Sequence, residues 1–405
     1  MAGAKRKALV IGGSIGGLFA ALRLARDGWE VHVFERSPVE LSGRGAGIVT
    51  QPQVLEGLAA LGRPVGSDLG VDVSRRQTLD RTGRVIAVDN RHQVATSWNR
   101  LFAALRTGFP GERYHLGRDL AGIDQHPGGV TARFADGSSA EGDILVGADG
   151  FRSSVRGLFL PEVQPAYAGY VAWRGLVEEA AFPPELHREM FGFFSFGLPP
   201  EEQILGYPVA GDDDAAGRRR YNFVWYRPAD PDTELPVLLT DETGQRHQVS
   251  IPPPLIARAV VDEMRAHAEA VFAPQFRTIV GLTEQPFLQP IYDLETSRMA
   301  FGRVALIGDA AFVARPHVGA GTAKAAGDAM CLADALARLP EPEAALRAFE
   351  AERLAIGGRI IAQARHLGTY MQRDFASEAA QREAARHRSP EAVMAETALL
   401  DFLAA

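Results

Sequence analysis

Between Ala8 and Glu35 the chain strings together a short apolar run, a glycine-rich turn, an amphipathic stretch and a second apolar run. Few folds accommodate that order at that spacing. Ala8 to Ile11 reads as a buried strand, Gly12 to Gly17 as a tight turn, and Leu18 to Asp27 as a helix that Gly28 closes. Glu30 to Glu35 (EVHVFE) gives the next strand. Two strands joined through one helix by such short connections imply a parallel pair, and so an α/β fold.

The turn also carries chemistry. A dinucleotide site needs a sharp turn, close approach of backbone to a pyrophosphate, and close helix–strand packing. Gly12 and Gly17 fill the first and third glycine places, while Ser14 takes the second with a side chain still small. Ser14 and Ile15 lie in the turn before a helix whose N-terminal N–H groups and positive dipole end are offered to the phosphates. Glu35, 18 residues beyond Gly17, is placed to accept ribose hydroxyls, with Arg36 beside it. This turn suits FAD and NAD alike.

Two remote segments separate them. Asp143 to Val146 is a buried strand ending at Gly147-Ala148-Asp149-Gly150, and Val304 to Ile307 ends at Gly308-Asp309-Ala310-Ala311. Pro316, Gly319, Gly321 and Asp328 follow the second. With these in place the chain resembles the single-component FAD-dependent aromatic hydroxylases, the para-hydroxybenzoate hydroxylase family, and within it the dihydroxypyridine-hydroxylating branch. Glu35-Arg36-Ser37-Pro38, Gly45 to Val49, Tyr167 to Gly175, Asn222 to Tyr226 and Arg315-Pro316-His317 carry the closer likeness.

The resemblance implies a Rossmann-like FAD domain of the glutathione-reductase type, with an inserted sheet-rich substrate domain and a C-terminal helix. The expected partition is 1–75, 95–165 and 286–345 for FAD, 76–94 and 166–285 for substrate, and 346–405 as a C-terminal helical region. It also implies that Arg44, Val49, Arg100, Asp149, Asp309 and the stretch Gly319, Ala320, Gly321, Thr322 contact FAD. NADH or NADPH would reduce the flavin, and O₂ activated at its C4a position would hydroxylate a small hydroxylated aromatic or N-heteroaromatic ring. An epoxidase, oxidase or reductase of the same fold is the alternative left open. Two departures stand out: the Asn common in the Gly-Asp segment is replaced in Gly321 to Lys324, and Gln203 stands near the place of an arginine in the urate-hydroxylating branch.

For the chemistry, Asp293 is the expected base or substrate anchor, and His317 a residue able to bind or relay a proton. Pro316 precedes it in the loop expected beside the flavin ring. Gln203, Tyr207, Phe223, Trp225 and Tyr226 are candidate substrate contacts, but strand alternation puts only about half of such residues on one face.

Composition bounds the rest. A formal net charge of −7 without a long basic run argues against nucleic acid. One cysteine, Cys331, excludes an intrachain disulfide or cysteine-rich metal site, and no metal is expected. No apolar stretch reaches the ~18 residues of a membrane helix, so the expectation is a cytoplasmic protein, with a homodimer as the candidate assembly and a charged tail of doubtful order.

Overall fold

The computed structural model describes residues 5–41, 47–63, 69–211, 218–371 and 377–403. Arg44 and the segment Asp212 to Gly217 lie outside the described residues.

The first unit forms as its pattern predicts. β1 (Lys7–Ile11) leads into α1 (Ile15–Arg26), then β2 (Glu30–Phe34), and β1 and β2 pair in parallel. Strands β3 (Arg75–Leu79) and β4 (Val85–Asp89) make a hairpin around Thr82-Gly83. After α2 (Trp98–Arg106) come β5 (Tyr114–His115) and β6 (Ile144–Gly147). The long middle section holds β7 (Ala166–Glu178), β8 (Phe193–Gly197), β9 (Gln203–Ala210) and β10 (Arg219–Pro228). Helix α3 (Arg258–Val271) precedes α4 (Pro274–Leu282) and β11 (Phe287–Glu295). The chain then runs through β12 (Ala300–Phe301), β13 (Val304–Leu306), β14 (Phe312–Val313), α5 (Gly321–Arg338) and α6 (Pro342–Gly368). It ends in α7 (Glu378–Arg386) and α8 (Pro390–Glu396).

Two sheets organise these elements. The order β12-β13-β6-β1-β2-β5 makes a six-stranded sheet, parallel except for β12. Its central strands are apolar on both faces because α1 covers one and the three-stranded antiparallel sheet of residues 120–142 covers the other; Ala8 to Val10 and Ile144 to Val146 are fully buried. The second sheet, β14-β11-β7-β10-β9-β8-β3-β4, has eight strands, antiparallel except for β3 with β8. β14 follows Asp309 within four residues yet pairs with Leu294 and Glu295 of β11. The Gly-Asp segment is thereby stitched to the second sheet.

The eight-stranded sheet divides its side chains by strand parity. Trp173, Ile204, Tyr221, Phe223 and Trp225 pack under α3 and α4 with Met264, Phe272 and Phe276. Ala172, Leu205, Tyr207, Val224, Tyr226 and Ile291 point to the opposite face. The tail, expected to be of doubtful order, folds back instead: Ala398 N–H donates to His317 O at 2.8 Å, and Gln51 Nε2 donates to Ala398 O at 2.9 Å.

Candidate active site

The glycine turn is built by sterics. Gly12 has φ +103°, and a Cβ there would sit 2.4 Å from the Ala148 carbonyl oxygen; one on Gly17 would sit 1.9 Å from Gly12 O. Only glycine meets both demands. Glu35 is 7% exposed, and its carboxylate accepts the N–H of Gly13 and of Ser37, each at 2.9 Å. It braces the turn and, with Ile11 and Gly12, lines a small cavity. Ser14 is the N-cap of α1 but its hydroxyl makes no capping bond, so the first N–H groups of that helix keep no side-chain partner. Ile15 and Gly17 are buried behind the turn.

From there a cleft of about 690 Å³ runs between the two sheets. Arg36, Val49, Asp149, Asp309, Gly319, Gly321 and Thr322 all line it, which brings together three segments remote in sequence. Ala320, buried, is the N-cap of α5 and likewise offers no side-chain cap. Arg100 sits in the first turn of α2 with its N–H capped by Ser97, and is not among the cleft-lining residues.

The two aspartates are held differently. Asp149 Oδ1 accepts Ser153 Oγ–H at 2.5 Å and Oδ2 accepts Val155 N–H at 3.1 Å, so it also caps the following helix. Burial raises its carboxyl above the usual range against those hydrogen bonds. Arg156 ties this segment to the other by donating to Phe151 O and Ala310 O. Asp309 is half exposed to the cleft, with Lys324 Nζ 3.6 Å from its Oδ1. Lys324 is buried and its ammonium has no hydrogen-bond partner among the described residues. Asp328 is structural: it accepts Gly308 N–H at 2.8 Å and is balanced by Arg353 at 2.7 Å.

These features fit a dinucleotide. Two uncapped helix N-termini supply N–H donors for phosphate and polar ring edges, Glu35 and Asp309 supply acceptors, and the buried Lys324 ammonium stands 3.6 Å behind Asp309.

At the other end, the cleft is floored by the eight-stranded sheet. Tyr207 and Tyr226 line it with Phe194, Leu205 and Val224. Phe223 and Trp225 do not, because they lie on the opposite face of β10; Trp225 donates to Glu202 at 2.8 Å and stacks on His267. Sequence adjacency had offered all four, and the pleat divides them. Gln203 shares the parity of Tyr207 but sits farther along, lining a separate cavity of about 10 Å³.

Asp293 is the main correction. It is 4% exposed, does not line the cleft, and is held by Arg315 at 2.8 Å and Arg365 at 3.0 Å. Burial pushes its carboxyl up, but the hydrogen bonds and charges of Arg365 and Arg315 hold it below the usual range. A carboxylate so engaged is a poor base. His317 and Pro316 do line the cleft, yet His317 is buried and its Nε2 lies 2.9 Å from Ala364 O. Burial drives it down to about 3, so it is neutral at pH 7 rather than titrating there. With Nε2–H on that carbonyl, Nδ1 is left as an acceptor with no partner among the described residues.

Two features escaped the sequence. Arg174 of β7 lines the cleft beside Tyr207 and Tyr226, donating from Nη1 to Gln289 Oε1 at 2.9 Å. A lone arginine at the parity of Tyr170 and Ala172, in an otherwise apolar strand, was the available signal. Thr397 and Ala398, near the end of the tail, also line the cleft.

Residues 10–61 match an NAD(P)-binding Rossmann-like domain, 167–293 an FAD binding domain-like family, and 289–364 an FAD binding domain. The chain is 35% identical over 364 residues to the 2,6-dihydroxypyridine 3-monooxygenase of Paenarthrobacter nicotinovorans, covering 90% of this chain and 91% of that relative. The chain belongs to the FAD-dependent aromatic monooxygenases. The solved 2,6-dihydroxypyridine-3-hydroxylase from Arthrobacter nicotinovorans resembles this monooxygenase with a TM-score of 0.86 at 34% identity, over 91% of this chain and 93% of the other. HpxO of Klebsiella pneumoniae, solved with FAD and uric acid, gives 0.76 at 25% identity over 98% and 94%. The monooxygenase uses FAD with NAD(P)H and O₂, and hydroxylates a small aromatic substrate. None of its described helices is long and apolar enough to cross a membrane.

Proposed function

We propose that the monooxygenase hydroxylates a small hydroxylated N-heteroaromatic ring of the 2,6-dihydroxypyridine type, bound as an anion against Arg174. The observation that carries this is Arg174 itself: a guanidinium on the cleft floor, half satisfied by Gln289, with its Nε buried and unpartnered among the described residues. Electrophilic hydroxylation is faster on an oxyanion-bearing ring, and a fixed cation favours that form of the substrate.

Gly12, Ser14 and the N-terminus of α1 would hold the pyrophosphate of FAD and Glu35 its ribose, with Arg36 and Asp149 alongside. Asp309, Val49 and the stretch Gly319 to Thr322 would hold the flavin end. When bound, FAD takes electrons from NAD(P)H and passes one oxygen atom of O₂ to the ring. Arg174 holds the ring oxyanion and so disposes the substrate hydroxyl to lose its proton. Tyr207, which burial pushes up to about 12, remains a neutral hydroxyl donor at the ring edge. Tyr226, also pushed up by burial, does the same. The apolar walls and the Thr397-Ala398 segment keep water out, which strengthens the field of Arg174. Asp293 acts at one remove, by positioning Arg315 and the loop that carries Pro316 and His317.

Purified holoenzyme screened with hydroxypyridines and phenols tests the reading. NADH and NADPH oxidation and O₂ uptake are followed, with hydroxylated product separated from peroxide. A hydroxypyridine should accelerate NAD(P)H oxidation and be hydroxylated. If no hydroxylated ring does so, the substrate assignment fails.

A further inference from the structure

Two histidines that line the small cavity holding Gln203 meet a glutamate beside it. His366 lies near the end of α6, His387 just after α7, and Glu396 at the end of α8. His387 Nδ1 is 2.8 Å from Glu396 Oε1, and His366 Nε2 is 3.3 Å from Oε2. One donor atom from each of the three residues falls within 4.8 Å of the others. All three are half-buried, and the two imidazoles meet edge to face at 4.1 Å.

We propose that His366, His387 and Glu396 bind a single divalent transition-metal ion of the Zn²⁺ class. Two imidazoles and one carboxylate are a donor set such an ion takes in tetrahedral geometry, with bonds of about 2.0–2.2 Å. Those bonds place ligand atoms about 3.3 Å apart; the two His–Glu396 separations are 2.8 and 3.3 Å, and the three donor atoms lie within 4.8 Å of one another. The adjoining cavity of about 10 Å³ is the size of one water molecule and leaves room for a fourth ligand. Gln203 lines it, 3% exposed, with Nε2 unpartnered among the described residues, and is placed to hold a metal-bound water.

The ion would link three helices that otherwise meet mainly through side chains of the tail. Its consequence reaches the cleft through Thr397, which lines both the small cavity and the large one. Thr397 O is also held by Arg76 Nη1 at 2.7 Å. A metal there fastens the Thr397-Ala398 segment against the loop of His317 and Gly319.

The test uses untagged, chelator-treated holoenzyme titrated calorimetrically with Zn²⁺, and with Co²⁺ for its ligand-field absorption. One ion per chain, with a dissociation constant below about 10 μM, is expected of three protein ligands. His387→Ala and Glu396→Gln should each weaken binding at least tenfold while FAD remains bound at full occupancy, showing the variants folded. No stoichiometric uptake by the wild type overturns the proposal, as does unchanged affinity in both variants. The metal titration is independent of turnover, so a failed substrate screen leaves its outcome interpretable.

Discussion

Arg315 Nη2 lies 2.8 Å from Asp293 Oδ2, and the pair is nearly sealed from water behind the loop that carries Pro316 and His317. It joins the end of β11 to the segment leading into α5, so one ion pair sets where the eight-stranded sheet meets the loop of Pro316 and His317. Asp293→Asn leaves Arg315 buried beside a neutral group. The cost should be roughly 3 kcal/mol of stability, read as a lower denaturation midpoint. A base would instead show a lost acid limb in the pH–rate profile with stability unchanged.

Acid should weaken the fold through His317. Its folded-state value is about 3 against 6.5 for the free imidazole. Between those values the unfolded chain binds a proton that the folded chain refuses. The stability is therefore intact above pH 6.5 and lost progressively as the pH falls toward 3, by up to about 1.4 kcal/mol per unit. Urea midpoints at pH 7 and pH 5 measure this, and in His317→Asn the drop between them should shrink.

Arg174→Leu should raise KM for the ring by about tenfold or more, the scale of a lost charge-assisted hydrogen bond, with FAD affinity unchanged. Steady-state kinetics beside a flavin fluorescence titration separates the two. A parallel loss of FAD would mean that Arg174 acts on the fold rather than on the ring.

The pleat of β10 makes a paired prediction. Phe223→Leu should lower stability by about 1–2 kcal/mol and leave KM within about twofold, because its ring packs under α3 and α4. Tyr226→Phe should do the reverse, shifting KM severalfold at nearly constant stability. Equal effects on KM would contradict the parity of the strand.

Gly12→Ala places a methyl 2.4 Å from the Ala148 carbonyl oxygen on a backbone at φ +103°. The protein should purify with little yellow colour and bind added FAD at least tenfold more weakly, an effect of about 1.4 kcal/mol or more. Flavin absorbance per chain is the measurement.

The sequence by itself determined the nucleotide half of this protein. Gly12, Gly17 and Glu35 are legible because their constraints are local: a left-handed turn, a close approach and a strand end act over a few residues. The Asp149 and Asp309 segments are legible because each follows a buried apolar strand directly. What only the tertiary structure decided is the substrate half. Phe223, Trp225 and Tyr226 look alike in sequence, and sheet pleating with α3 and α4 on one face chose among them. Asp293 looked like a base until Arg315, 22 residues on, and Arg365, 72 residues on, were folded against it. Arg174 came to line the cleft, and His317 to be neutral, through packing among groups far away in the chain. Charge and desolvation are properties of the packed environment, so chemistry that depends on them is written in three dimensions.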